Sequence, residues 1–207
     1  MGRTAAKIRA SQPTADEGVR MLMEGNKRFI SGEMNPHDFN AMRKQLVDSQ
    51  APFAIILRCA DSRVSPEIVF DQGIGDIFVC AVAGNIPTPE IVASMEYSIA
   101  VLGSPLIVVM GHSSCGAVDA AIKNFDSLDD LPGSLPGLIG EILPAVINTK
   151  GEEGDVLDNT IRENVRLAMK RLPKMSDIIQ EAHAKGSLKI IGGVYELGTG
   201  QFVPVEG

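Results

Sequence analysis

The chain has 207 residues, of which 44% are hydrophobic, so it can bury a full core within one domain spanning 1–207. Its net charge of −7 at pH 7 argues against the basic surface that nucleic-acid binding needs. No apolar run approaches the roughly 18 residues of a membrane span, so no membrane partner is expected. An odd number of cysteines, three, does not make a disulfide framework. With no secretory signal visible in the first residues, the sequence predicts a cytoplasmic protein.

The amino-terminal region is predicted to be helical after a short polar lead. Residues 1–13 are polar and are expected to be mobile. Thr14 and the acids that follow it mark a helix start, and apolar residues continue at helical spacing as far as Ile30. A second short helix is predicted over 42–47. Residues 14–50 therefore form a pair of helices that precede the main sheet.

The middle of the chain, 51–125, alternates between strands and helices. Continuous apolar runs predict three strands buried on both faces, at 53–57, 77–82 and 106–110. Helices are predicted between and after them, at 88–102, opened by a Thr-Pro-Glu sequence, and at 114–123. Strand, helix and strand in this order predict right-handed parallel crossovers. The expected fold class is α/β, a mostly parallel sheet flanked by helices.

The last third is predicted to be helical and then to end in two strands. Residues 126–187 are expected to contain a loop at 126–137 and three helices, which lie at 138–148, 156–171 and 176–184. Residues 188–207 are expected to form the final strands, at 188–197 and 202–205, joined by a Gly-Thr-Gly turn. The last of them is predicted to be an antiparallel edge, where Pro204 is tolerated.

Two short segments carry the chemistry, namely 59–63, Cys-Ala-Asp-Ser-Arg, and 111–116, Gly-His-Ser-Ser-Cys-Gly. Each follows a predicted strand, and a parallel sheet could bring both to one edge. Cys59, His112 and Cys115 would then converge, and two thiols with one imidazole match a catalytic zinc site that keeps its fourth position for water.

The same side chains have other interpretations. A single buried cysteine is more often an inert thiol, and a Cys-His nucleophile pair would need an orienting third member that the sequence does not supply. A structural zinc site usually has four ligands, and the remaining thiol, Cys80, lies in mid-strand and is assigned to the core. The zinc interpretation is preferred because the motif context supports it.

Asp61 and Arg63 are two residues apart, and in a tight turn they can form a bidentate pair. The simpler interpretation is a surface ion pair of little energetic value. Beside a zinc-bound hydroxide, an ionised Asp61 held by Arg63 would accept the hydroxide's hydrogen bond and orient its lone pair. Both residues are therefore candidate catalytic residues.

The two segments together resemble the signature of the β-class carbonic anhydrases. The resemblance implies reversible hydration of carbon dioxide to bicarbonate and a proton by a Zn²⁺-bound hydroxide, with Cys59, His112 and Cys115 as metal ligands. It also implies that Asp61 can become the fourth ligand in a closed state, once Arg63 releases it. A homodimer or homotetramer with the active site at the dimer interface is expected, the amino-terminal helix packing across the second subunit.

The resemblance further implies a substrate site for carbon dioxide and bicarbonate. Four residues match family positions that line this site: Gln50, Phe78, Tyr97 and Gly116. Without the family, the aromatic residues would be ordinary core and Gln50 an ordinary helix end.

Some features depart from the family pattern. No arginine precedes the Ala-Gly-Asn turn at 83–85, and the chain has no tryptophan, Ile56 standing three residues before Cys59. Both features argue against a regulatory bicarbonate pocket. His37 and His183 lie in polar surroundings and are predicted to be solvated. Two alternative functions stay open: hydrolysis of carbonyl sulfide or carbon disulfide, and a catalytically silent zinc-binding interaction protein.

Overall fold

The structure is a computed structural model that describes residues 12–207. The mobile segment predicted at 1–13 therefore lies, except for its last two residues, outside the described residues. Within 12–207, no helix combines the length and the apolar character that crossing a bilayer would require.

One five-stranded sheet forms the centre of the fold. Its strands are β1 (Ala54–Arg58), β2 (Ile77–Ala81), β3 (Leu106–His112), β4 (Lys189–Tyr195) and β5 (Phe202–Val205). They are ordered β2-β1-β3-β4-β5, and all neighbours are parallel except β4 and β5. The predicted fold class, a mostly parallel α/β sheet with an antiparallel carboxyl-terminal edge, is confirmed.

Nine α-helices of the described residues flank this sheet. They are α1 (Ala15–Ser31), α2 (Phe39–Gln45), α3 (Pro66–Val69), α4 (Pro89–Ala100), α5 (Gly116–Lys123), α6 (Leu135–Gly140), α7 (Leu143–Asn148), α8 (Val156–Met175) and α9 (Asp177–Ala184). Thr14 caps α1 in a capping box with Glu17. Thr88 caps α4 by accepting a bond from the backbone N–H of Ile91. These side chains begin the helices where the sequence predicted.

Several predicted boundaries were wrong. The helix predicted at 138–148 is two helices, because Pro144 at the start of α7 has no N–H to continue the preceding turn. The predicted 126–137 loop holds a 3₁₀ turn and the start of α6. Helix α2 begins three residues early, because Asp38 caps it, and α8 continues past its predicted end to Met175.

The sheet has a hydrophobic core on each face. Side chains of β1 alternate between them, Ile55 and Leu57 entering the core beneath α4, α5 and α8, and Ala54 and Ile56 entering the core beneath α1 and α3. Strand β3 is buried throughout its length. The carboxyl ends of β1 and β3 are consequently enclosed between two layers of helices, and the residues that follow these strands are held in place.

Candidate metal centre

Three potential ligand side chains converge at the carboxyl ends of β1 and β3. Cys59 follows β1, His112 ends β3, and Cys115 is the residue immediately before α5. Their ligand atoms all lie within 4.8 Å of one another, and all three residues are buried. Parallel pairing aligns Arg58 of β1 with Met110 of β3, so the two segments reach the same edge of the sheet. The three donors that the sequence singled out are thus neighbours in space.

A tight turn directs Cys115 back towards His112. Ser113 is fixed at this turn by two bonds, its N–H donating to the Tyr195 carbonyl at 3.0 Å and its Oγ accepting from the Leu197 N–H at 2.9 Å. Ser114 then adopts a left-handed conformation with φ of 56°. The chain reverses there, and α5 starts just after Cys115.

His112 presents one nitrogen towards the thiols. Its Nδ1 lies 2.9 Å from the carbonyl oxygen of Ser113, which can only accept, so the Nδ1 proton is placed there and Nε2 keeps a lone pair. Among residues 12–207, this buried Nε2 has no hydrogen-bond partner. A buried nitrogen left in this way is costly unless something binds it. The donor set therefore fits a metal ion with a preference for imidazole and thiolate.

The two thiols form a polar pair. The Sγ atoms of Cys115 and Cys59 are 3.9 Å apart, and the N–H of Gly84 donates to Cys59 Sγ at 3.3 Å. Hydrogen bonding from Cys115 lowers the pKa of Cys59 to about 4, against the effect of burial. The neighbouring His112 side chain and the N–H groups of Gly84 and Asp61 lower it further. Its bond to Cys59, together with burial, raises the pKa of Cys115. A dication among these atoms would favour both thiolates, because positive charge stabilises each of them.

Cys80 is not part of this group. It lies in mid-strand on β2 with 3% of its surface exposed, inside a hydrophobic core, and burial raises its pKa to about 11. Its assignment to the core is confirmed.

Asp61 and Arg63 form the predicted bidentate pair beside the three donors. Arg63 donates from Nε to Oδ1 at 2.9 Å and from Nη2 to Oδ2 at 2.7 Å. These bonds hold the pKa of Asp61 well below its usual range. Asp61 Oδ2 lies 3.9 Å from His112 Nε2, so an ionised carboxylate stands next to the open nitrogen.

The structure brings one of the four candidate substrate residues to the donors. Gly116 follows Cys115 directly, and a side chain placed on it would meet nothing within 4 Å. Phe78 of β2 is half-buried and packs on the core beneath α4. It pairs with Ile55, four residues before Cys59, so it lies away from the edge of the sheet that holds the donors. Gln50 and Tyr97 line a separate cavity of about 560 Å³ whose lining includes none of the three donors.

The prediction that His37 is solvated was wrong. Its Nε2 lies 2.9 Å from Oδ1 of Asp71, and only 16% of its side chain is exposed. The same buried carboxylate also accepts bonds from Arg28 and from the backbone and side-chain amides of Asn35. No sequence pattern indicated this cluster, because its members come from separate segments. His183 is exposed, although its Nδ1 bonds the Leu188 carbonyl at 3.1 Å.

The sequence did not predict two further residues that support the site. Gly84 donates to Cys59, and the carbonyl oxygen of Gly84 accepts a bond from the side chain of Asn164 at 2.8 Å. The Ala-Gly-Asn turn was visible in the sequence, but nothing linked it to Cys59, and Asn164 carried no signal at all.

Comparison with known proteins identifies the family. A family model described as carbonic anhydrase matches residues 54–202. The chain is 39% identical over 190 residues to carbonic anhydrase 2 of Mycobacterium tuberculosis, covering 89% of each chain. The structure resembles that of the β-carbonic anhydrase CcaA, with a TM-score of 0.73, 25% identity, and coverage of 92% of this chain and 96% of the other. The chain belongs to the β-class carbonic anhydrases.

One further relative agrees with the family, and one further solved structure agrees with the fold. The carbonic anhydrase of Mycolicibacterium smegmatis is 34% identical over 183 residues, covering 88% of this chain and 89% of its own. Two tetrameric β-carbonic anhydrases of Sordaria macrospora are represented by a structure with the same fold, with a TM-score of 0.72, 23% identity and coverage of 92% and 98%. As a β-class carbonic anhydrase, the chain is an enzyme of the lyase class, and its Cys-His-Cys group can hold the metal of a metalloenzyme.

Proposed function

We propose that the chain catalyses the reversible hydration of carbon dioxide to bicarbonate and a proton, with Zn²⁺ held by Cys59, His112 and Cys115. The observation that carries this proposal is the buried His112 imidazole. Its Nε2 has no hydrogen-bond partner in residues 12–207, and its ligand atom lies within 4.8 Å of those of two thiols. Two thiolates and a neutral imidazole balance the charge of a zinc ion. When bound, zinc lowers the pKa of water towards about 7 and so supplies a nucleophile at neutral pH.

Asp61 and Arg63 are proposed to control the proton of the attacking water. Asp61 stays ionised because Arg63 binds both of its oxygens, so it can accept a hydrogen bond from the water and direct a lone pair towards the substrate. In the proposed closed state, Asp61 would serve as a fourth ligand, and Arg63 would first have to release it. We therefore propose that the pairing of Arg63 with Asp61 determines whether the site is in its open or its closed state.

Carbon dioxide carries no charge, so its site needs an apolar wall and open space. The missing side chain of Gly116 leaves room beside Cys115. We assign Gly116 to the substrate site contributed by the same chain. Because Phe78 pairs with Ile55, away from the donors of its own chain, we propose that it contributes its aromatic surface to the site of a second copy.

Gln50 and Tyr97 are proposed to act in the site of a second copy of the chain. Both line the 560 Å³ cavity away from the donors, and the same cavity is bordered by exposed apolar residues, including Val47, which is 76% exposed, and Ile74, which is 42% exposed. An exposed apolar surface of this kind is typical of an interface. We propose a homodimer, or a homotetramer built from it, whose active sites lie at the interface, in the reducing environment of the cytoplasm that suits three free thiols.

The decisive experiment is stopped-flow measurement of carbon dioxide hydration together with metal analysis on the same sample. One zinc ion per chain and rapid hydration are expected. Stoichiometric zinc without hydration would contradict the proposal and favour a silent zinc-binding protein. Sulfide release from carbonyl sulfide or carbon disulfide without carbon dioxide hydration would assign the same site to a different substrate.

A further inference from the structure

Helix α8 rests against the backbone that carries the proposed metal ligands. Ile161, Asn164 and Val165 are three and four residues apart, so they share one face of the helix. Ile161 and Val165 lie over Gly111, the residue just before His112. A Cβ atom at Gly111 would lie 2.8 Å from Cγ2 of Val165 and 3.4 Å from Cγ2 of Ile161. The helix can approach the end of β3 this closely only because residue 111 is glycine.

Asn164 is a buried polar residue on this largely apolar face. It is 5% exposed, and its Nδ2 donates to the carbonyl oxygen of Gly84 at 2.8 Å. A buried amide on an apolar helix face is costly unless its hydrogen bonds are made. The bond to Gly84 meets this requirement, and it links α8 to a second segment of the metal centre.

Gly84 links Asn164 to Cys59. Its own N–H donates to Cys59 Sγ at 3.3 Å, and its φ of 75° is a left-handed conformation that costs glycine little. A Cβ atom there would lie 2.6 Å from Cδ1 of Ile142. The orientation of Gly84 is therefore set on one side by Asn164 and on the other by the thiol.

We propose that Asn164 is a positioning residue for the Cys59 thiolate, acting through Gly84; this inference rests on the proposed metal-binding function. By fixing the carbonyl of Gly84, Asn164 keeps the N–H of Gly84 directed at Cys59 Sγ. That bond stabilises the thiolate and orients the sulfur before any metal arrives. Loss of a residue that orients a metal ligand typically weakens metal binding about 10- to 100-fold. Because Asn164 acts through an intervening residue, we expect a loss of about tenfold, at the lower end of that range.

The test compares Asn164→Leu and Asn164→Ala with the matched control Thr160→Val. Leucine keeps the bulk of asparagine without a donor, and alanine removes both. Thr160 lies on the same helix and is fully buried, but it bonds Thr149 and the Val156 carbonyl rather than Gly84. Zinc dissociation constants come from competition with a chromophoric chelator. Absorption of the cobalt(II)-loaded proteins reports on the thiolate-to-metal bonds, and circular dichroism checks that each variant is folded.

Both Asn164 variants should bind zinc about tenfold more weakly than the wild type, with an altered thiolate-to-cobalt charge-transfer band. The control should match the wild type in both measurements. Wild-type affinity and spectrum in the folded Asn164 variants would overturn the positioning role. Equal weakening in Thr160→Val would also overturn it, because the cause would then be general loosening of α8. If one Asn164 variant does not fold, the other decides. A wild type that binds neither metal through thiolates would overturn the proposed function itself, which distinguishes the two failures.

Discussion

Asp61 and His112 are close neighbours that do not bond each other: Oδ2 of the carboxylate lies 3.9 Å from Nε2 of the imidazole. Arg63 holds the same oxygen at 2.7 Å, so the carboxylate is kept at the rim of the donor group without joining it. The pKa of Asp61 is lowered by this pairing, and the group therefore remains ionised down to acidic pH. A fixed negative charge next to a candidate metal position is suited to accepting a proton in a hydrogen bond.

Replacing Asp61 by asparagine should separate this role from metal binding. The amide retains the shape but loses the charge, so Asp61→Asn is expected to keep stoichiometric zinc and to lose about 100-fold in kcat/KM for carbon dioxide hydration. Stopped-flow kinetics and metal analysis measure the two properties. Asp119→Asn, which removes an exposed carboxylate paired with Lys123 on α5, should leave both unchanged. An unaltered rate for Asp61→Asn across the pH range would remove Asp61 from the mechanism.

Loss of a thiol from the donor group should abolish zinc binding and turnover together. Cys115→Ser is expected to leave the protein with far less than one zinc per chain, because a serine hydroxyl is a poor ligand for zinc beside Cys59 and His112. Metal analysis after gel filtration provides the measurement. Cys80→Ala is the matched control, since Cys80 is also a buried thiol but lies in the core, and it should keep its zinc. Full zinc content and activity in Cys115→Ser would show that the ligand assignment is wrong.

A charge placed in the Gln50 and Tyr97 cavity should weaken assembly. Val47 lines this cavity, and an aspartate there would be buried without a partner if a second copy covers it, at a cost of several kcal/mol. Val47→Asp is therefore expected to associate at least about 100-fold more weakly and to lose activity as it dissociates. Sedimentation velocity over a dilution series measures the association.

The control for this experiment is Ile147→Asp. Ile147 is also exposed, at 56%, but it belongs to α7 and is not part of the cavity lining. It should leave the assembly intact. If Val47→Asp behaves in the same way, the face around Gln50 is not the subunit contact.

The buried carboxylate of Asp71 should make stability depend on acidic pH. Burial alone would raise its pKa, but the bonds from Arg28, Asn35 and His37 outweigh burial and lower it. A lowered folded-state pKa means that the stabilisation is fully present above the unfolded value, about 3.9, and is lost as the pH falls through the folded value.

Asp71→Asn should accordingly lower the free energy of unfolding by about 2 kcal/mol at pH 7, and the difference from wild type should shrink below about pH 4. Urea denaturation at a single protein concentration measures both effects. Glu181→Gln, which removes an exposed carboxylate paired with Lys185 on α9, should change little. A constant difference between Asp71→Asn and wild type at every pH would rule out the carboxylate charge as its cause.

The sheet and the donor group could be predicted because their signals are local. Each buried strand is a continuous apolar run bounded by turn residues, and Cys59, His112 and Cys115 all lie within five residues of the end of such a run. Parallel order of the strands then suffices to place the three side chains at one edge. The first residues of α1 and α4 were likewise predictable, because Thr14 and Thr88 cap these helices through bonds to residues three positions further on.

The remaining features depend on contacts between distant segments. The polar sequence neighbours of His37 predict a solvated side chain, yet His37 bonds Asp71, which is 34 residues away. Asn164 bonds Gly84 across 80 residues, and no spacing rule connects an amide on a helix with a carbonyl in a turn. Gln50 and Tyr97 were predicted only through family resemblance, and in one copy of the chain they stand apart from the donors. The split at Pro144 was the exception, since a proline inside a predicted helix is a visible warning.

Cys59 and His112 stand 53 residues apart in the sequence, at the carboxyl ends of the neighbouring strands β1 and β3. These strands can pair only after the connection between them, which includes β2 and α4, has been synthesised. A nascent or half-folded chain therefore offers only the local pair of His112 and Cys115. An ion that needs all three donors can bind only after β1 and β3 have paired in register. Closing the long loop between these two strands is among the slower steps in forming such a sheet. Metal binding would thus follow folding and would not initiate it, and only fully folded chains would bind the metal.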